Sequence, residues 1–163
     1  MGGETGREPQ PMTPAEALRV VSDAPRGLLA LGMPGCAACL LLPASLAEVG
    51  RGRPDLAIAI GEFATPEDWA CRERLMWPRG IHVSRSSVPA MALLIDGEVV
   101  ATRPGGGPAS VIEPWLADRL GPPSHPPPDG LTPREAAAPE GLSGFIASHR
   151  PAKGRREASL GIG

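Results

Sequence analysis

The stretch Gly35-Cys36-Ala37-Ala38-Cys39 constrains this chain more than any other. It follows a wholly apolar run, Leu28-Leu29-Ala30-Leu31, and precedes a helix-like run from Leu40 to Val49. Two cysteines with that spacing at a strand-to-helix junction lie one turn apart at a helix N-terminus. The first N–H groups of a helix have no internal partner, and the helix dipole places partial positive charge there. A sulfur at that end is stabilised as thiolate, the nucleophilic form. Cys36 is thus the expected exposed attacker and Cys39 the more buried resolver. Two other readings stay open: small buried residues with no chemistry, or half of a zinc site. Zinc usually takes four ligands, and Cys71, His82, His125 and His149 offer no second pair at matching spacing.

The rest of the chain sets the frame for that motif. A length of 163 residues suits one compact domain. With 16 basic and 18 acidic residues, the net charge of −2 predicts no broad attraction to nucleic acid or to an anionic membrane. Aromatic residues make up only 3%, so the core must be built from Leu, Ile, Val and Ala. The polar start, residues 1–12, has no apolar run of the secretory kind, and no stretch approaches a bilayer span. The expected address is cytoplasmic, where structural disulfides are rare. Two of three cysteines in C-x-x-C then fit a reactive pair with Cys71 as a small core residue.

Local signals divide the chain into a flexible N-terminus at 1–12, a folded domain at 13–121 and a disordered tail at 122–163. Thr13-Pro14-Ala15-Glu16 and Thr65-Pro66-Glu67-Asp68 read as helix starts, each with a capping residue, a proline at the first helical position and a carboxylate placed to reach back. The first helix runs to about Ala24 with Leu18 and Val21 inward; the second runs to about Trp77. Pro43 is expected to bend the helix after Cys39, where Leu41, Leu42, Leu46 and Val49 are available for packing. Leu28–Leu31 and Leu56–Ile60 are apolar throughout, as strands covered on both faces are. Met91–Ile95 and Glu98–Thr102 flank Asp96-Gly97, the pair that favours a two-residue hairpin turn. Ser110 to Glu113 reads as another capping box, and Val111, Ile112, Trp115, Leu116 and Leu120 then form one stripe. Tracts such as Pro126-Pro127-Pro128 and the scarcity of large apolar residues mark the tail. Arg85 reads as a solvated loop arginine, or as a charge that favours the Cys36 thiolate.

Val88-Pro89-Ala90 stands just before the third strand, with Pro89 53 residues after Cys36. Taken with C-x-x-C, the segment Asp96–Arg103, Gly105 and the stripe through Trp115 and Leu116, the chain resembles the thioredoxin family over roughly residues 13–121. The resemblance implies an α/β thioredoxin-like fold, with a central mixed four-stranded sheet flanked by helices. It also implies that Pro89 is cis and faces the C-x-x-C. The backbone there is extended, with free groups that pair with a substrate peptide. The family's first strand has no counterpart in residues 1–12. Gly35 stands where the family usually carries Trp, Ala37-Ala38 where it carries Gly-Pro, and Ala30 where it carries a buried Asp that assists proton transfer.

The activity implied is thiol–disulfide oxidoreduction, slower or more specialised than that of a general thioredoxin. Cys36 and Cys39 are the expected catalytic pair, with Gly35, Val88 and Pro89 binding the substrate. Neither organic cofactor nor metal is required. The expected partners are protein disulfide clients and a recycling reductase or low-molecular thiol. The alternative is a chaperone or assembly factor on the same fold, holding a client without redox turnover.

Overall fold

A computed structural model describes residues 7–125, all of them within one compact unit. The expectations for residues 1–6 and for most of the tail, 126–163, lie outside the described residues. The elements in chain order are β1 (Pro11–Met12), α1 (Pro14–Ser22), β2 (Arg26–Gly32), α2 (Leu42–Gly52), β3 (Ala57–Glu62), α3 (Pro66–Cys71), β4 (Ala90–Ile95), β5 (Glu98–Pro104) and α4 (Ala109–Leu120). They build one mixed sheet in the order β1-β3-β2-β4-β5. Strands β1, β3 and β2 run parallel, and β4 and β5 continue antiparallel.

The sheet therefore has five strands, not the expected four. The extra one is β1, whose two residues pair with Ile60 and Gly61. A two-residue strand carries no alternation for a sequence pattern to register; its pairing is set by the neighbouring edge of β3.

Burial on both faces explains the apolar runs. Leu29 and Leu31 of β2 pack with Ala17, Leu18 and Val21 of α1, with Met76 and with Leu94. Leu28 and Ala30 pack on the opposite face with Leu42, Leu46 and Val49 of α2 and Ile112 and Leu116 of α4. Successive strand side chains point to opposite faces, so a strand with helices on both sides has no polar position to spend. Edge strand β5 alternates exposed and half-buried residues instead. A bulge between Leu93 and Leu94 leaves Val100 unpaired, so Val99 and Ala101 pack into opposite cores.

Several local expectations hold. Thr13 and Thr65 both make the full capping box, with Glu16 and Asp68. The hairpin turns on Asp96 and Gly97, with φ of 50° and 82°, the double positive φ of a type I′ turn.

Others are corrected. Pro43 does not bend a helix interior; it sits in the first turn of α2, after a separate 3₁₀ turn at Ala38–Leu41, where its missing N–H costs nothing. Leu41 does not pack: it is 64% exposed. The helix expected from Pro66 to Trp77 leaves the α form at Cys71, passing through a π turn at Arg72–Met76 and a 3₁₀ turn at Trp77–Arg79. The wider turn lets Cys71 and Met76, five residues apart, both be buried. α4 starts at Ala109, one residue before the expected cap, with Pro108 at its N-cap and Ser110 already helical. Pro114 thus lies inside the helix, and Val111 faces solvent. Glu113 therefore lies two residues past N3 and makes no capping box; Arg53, buried to 4% exposure, takes its carboxylate at 3.0 and 3.2 Å through Nε and at 3.0 Å through Nη2. The same Nη2 donates to the Gly121 carbonyl at 2.7 Å, tying the end of α2 to both ends of α4.

Candidate functional site

Strand β2 delivers the chain to the site. Its last residue, Gly32, accepts a hydrogen bond from Phe63 N–H at 2.9 Å, and Met33-Pro34 turn away from the sheet. Gly35 then adopts φ +82°, the left-handed region that favours glycine, with open space where a side chain would stand. After it the chain tightens into the 3₁₀ turn, with Cys39 N–H donating to the Cys36 carbonyl at 3.1 Å and Leu40 N–H to the Ala37 carbonyl at 3.2 Å. At three residues per turn, side chains three apart eclipse. Cys36 and Cys39 accordingly stand on one side with Cα atoms 5.2 Å apart, within disulfide range, and are joined as a disulfide.

The expected attacker and resolver are both half-buried, so exposure alone does not rank them. Their surroundings do differ. Cys36 Sγ accepts the Cys39 N–H at 3.2 Å, the one backbone donor aimed at a sulfur of the pair among the described residues. Cys39 packs against the core cluster of α2 and α4. It also lies over Gly32: a Cβ at that glycine would stand 2.9 Å from Cys39 Sγ and 3.2 Å from Cys39 Cβ. Only a residue without a side chain lets the strand pass this close beneath the sulfur.

The Val88–Pro89 peptide bond is cis. Leu31 pairs with Ala90, so Pro89 stands immediately before β4, at the end of the sheet where β2 leaves for the cysteines. Pro89 is buried, and its carbonyl accepts Gly105 N–H at 2.8 Å. Leu42 spans the two halves of the site. Its methyls lie 3.8 Å from the Cβ position of Gly32, beneath Cys39, and 3.1 Å from that of Gly106, which itself lies 3.3 Å from Pro89 Cγ. Val88 is half-buried against the other core, and its N–H and C=O make no hydrogen bond among the described residues. That leaves the Val88 donor and acceptor, on either side of its Cα, unpaired at the residue before the cis-proline.

Sequence reasoning missed a second feature at this end. Trp69 stacks on Phe63 with ring centroids 4.4 Å apart. The Arg85 guanidinium lies 4.6 Å from the Trp69 centroid, and that of Arg72 lies 5.6 Å from Trp69 and 5.3 Å from Trp77. Arg85 is exposed in a turn, as expected, and its guanidinium also lies over an aromatic face. Trp69 and Trp77 are rim residues shared with arginines. Cys71 is a core residue whose Sγ donates to the Asp68 carbonyl at 3.0 Å. Burial, then the Asp68 carboxylate, pushes its thiol above the ordinary range and keeps it protonated.

No protein-family model matches the chain, and no curated protein matches it in sequence. Solved structures do match it in shape. Thioredoxin f2 of Chlamydomonas reinhardtii superposes with a TM-score of 0.54 at 13% identity, over 70% of this chain and 98% of its own. Desulfothioredoxin of Desulfovibrio vulgaris Hildenborough, in its reduced form, gives 0.53 at 20% identity over 68% and 98%. A thioredoxin f2 solved in complex with ferredoxin:thioredoxin reductase gives 0.53 at 15% identity over 71% and 97%. The fold is thioredoxin-like.

On the thioredoxin-like fold, β1 is the strand that residues 1–12 were expected to lack. Ala30, where the resemblance implies an Asp, is wholly buried against α2 and α4. No helix among the described residues is long and apolar enough to cross a membrane.

Proposed function

We propose that this chain is a thiol–disulfide oxidoreductase of protein clients. The observation that carries the reading is the Cys36–Cys39 disulfide in a half-exposed 3₁₀ turn at the end of a thioredoxin-like sheet. Cys36 Sγ accepts the Cys39 N–H in the disulfide form, and the same donor makes Cys36 the better-stabilised thiolate once the pair is reduced. It attacks one sulfur of a client disulfide. A new S–S bond forms, the client S–S bond breaks, and the second client sulfur leaves as thiolate. Cys39 loses its proton to water or to that leaving thiolate, since position 30 is an alanine. It then attacks Cys36 Sγ, closing the Cys36–Cys39 disulfide and releasing the client's other thiolate. Two electrons pass from the dithiol to the client, and a reductase or low-molecular thiol returns them with two protons.

Gly35 keeps the approach to Cys36 open, and the free N–H and C=O of Val88 pair with the client backbone on the Pro89 side. The thioredoxin f2 found with ferredoxin:thioredoxin reductase suggests the type of recycling partner. A cytoplasmic setting would keep the pair reduced between turnovers. The test is trapping. Cys39→Ser should accumulate mixed disulfides between Cys36 and client proteins that dithiothreitol releases, whereas Cys36→Ser should give none. Equal adduct from both variants, or no reversible disulfide in the parent protein, would remove the reading.

A second reading has its own support. Leu40 and Leu41 are 78% and 64% exposed immediately after Cys39, an apolar step suited to holding a client without turnover. Client capture at parental affinity by Cys36→Ser/Cys39→Ser would favour it; loss of capture would exclude it.

A further inference from the structure

A cleft of about 200 Å³ opens beside the disulfide turn, walled by Met33 and Pro34 on one side and by Phe63, Pro66 and Trp69 on the other, with Arg85 at its rim. Resting on the oxidoreductase reading above, we infer that this cleft selects clients that carry an apolar residue and an acidic one within a few residues of the reactive cysteine.

Size decides the kind of occupant. The cleft is smaller than the roughly 300–1,000 Å³ of small-molecule sites, so it suits one side chain rather than a whole low-molecular thiol. Reach fits as well. Met33 is three residues from Cys36, a span of at most about 11 Å, so a client joined to Cys36 brings its next residues over the cleft.

Charge decides the sign. Arg85 is the one charged residue lining the cleft. Its guanidinium lies on the Trp69 face, and it makes no hydrogen bond or ion pair among the described residues. A cation–π contact uses none of the guanidinium's five N–H donors as a hydrogen bond to protein oxygen, so they remain available to a carboxylate. The nearby Asp68 carboxylate is already engaged, accepting from Ala64 N–H and Thr65 N–H at 2.9 Å each. Segment 72–85 holds four arginines against one glutamate, a local +3 in a chain of net −2.

The test uses two fluorescein-labelled dodecapeptides that differ only in Glu against Gln after a Cys-Leu pair. Each is made as a disulfide for turnover and with Ser replacing Cys for binding by anisotropy. Glu should be preferred about fivefold in kcat/KM and in Kd at low salt, the ceiling for one solvent-accessible ion pair. That preference should shrink at 0.5 M NaCl and reverse in Arg85→Glu. Equal binding of the two serine peptides overturns the inference, whatever the turnover, and so does a Glu preference that survives Arg85→Glu. A Glu preference in binding with no turnover of either disulfide upholds the cleft and removes the oxidoreductase reading instead.

Discussion

The Arg53–Glu113 pair gives the sharpest test of how the helices behind the site are held. Arg53 is 4% exposed and Glu113 16%. Breaking such a pair by removing one partner costs about 3–5 kcal/mol, because the other charge stays behind without compensation. The exposures order the two single variants. Arg53→Met leaves a carboxylate that still touches water, so its cost should lie near the lower figure, about 3 kcal/mol. Glu113→Leu leaves a guanidinium out of water with only the Gly121 carbonyl, so its cost should lie near about 5 kcal/mol. Replacing both by apolar groups removes both charges, leaving the half-buried Gly121 carbonyl as the one polar group to be satisfied. The double variant should therefore sit within about 1 kcal/mol of the parent. Urea unfolding of all four proteins checks this, as does a loss of roughly 12–20 °C in melting temperature for the single variants at about 4 °C per kcal/mol. A double variant as unstable as the sum of the singles would refute the reasoning. So would Arg53→Met proving the more damaging of the two.

Three further outcomes follow from single contacts. Gly32→Ala places a Cβ 2.9 Å from Cys39 Sγ, and overpacking of this kind costs about 1–3 kcal/mol. Where the reduced sulfur swings clear, that cost falls on the disulfide and raises the midpoint potential by roughly 20–65 mV, read by glutathione titration; an unchanged potential and stability would show that the strand has room to spare. Cys71 titrates above its unfolded value of about 8.5, so its contribution to stability is present below that pH and lost as the pH rises past it. Urea midpoints at pH 7 and pH 10 should accordingly fall less in Cys71→Ala than in the parent. Glu16 is held below the ordinary carboxylate range, chiefly by the Thr13 hydroxyl at 2.8 Å and then by Thr13 N–H. Its stabilisation is present above the unfolded pKa and lost as pH falls through the lower folded one. NMR titration should find the Glu16 pKa raised back in Thr13→Ala and unchanged in Cys71→Ala.

What the sequence carried in local patterns survived folding with little change. The capping boxes at Thr13 and Thr65, the Asp96-Gly97 turn and the two-faced apolar strands are each decided by residues within about four positions of one another. C-x-x-C belongs with them, since a 3₁₀ turn eclipses residues three apart whatever surrounds it. The errors came where a distant partner outbid a local one. Glu113 was expected to cap its own helix but answers Arg53, 60 residues away. The helix after Cys71 widens so that Met76 can be buried, and β1 exists only because β3 offers an edge. Position Gly32 held a faint signal, a glycine ending a strand, but its reason lies in a sulfur seven residues further on.

By itself, then, the sequence determined that a disulfide-capable cysteine pair would sit where a buried strand gives way to a helix, because short-range sterics and hydrogen bonding settle such turns. Only the tertiary structure decided what surrounds the pair. Gly32 beneath Cys39, the open peptide edge at Val88 and the Arg85–Trp69 rim belong to segments far apart in the chain. Their contacts exist only once packing of the two helical layers has brought those segments to one end of the sheet.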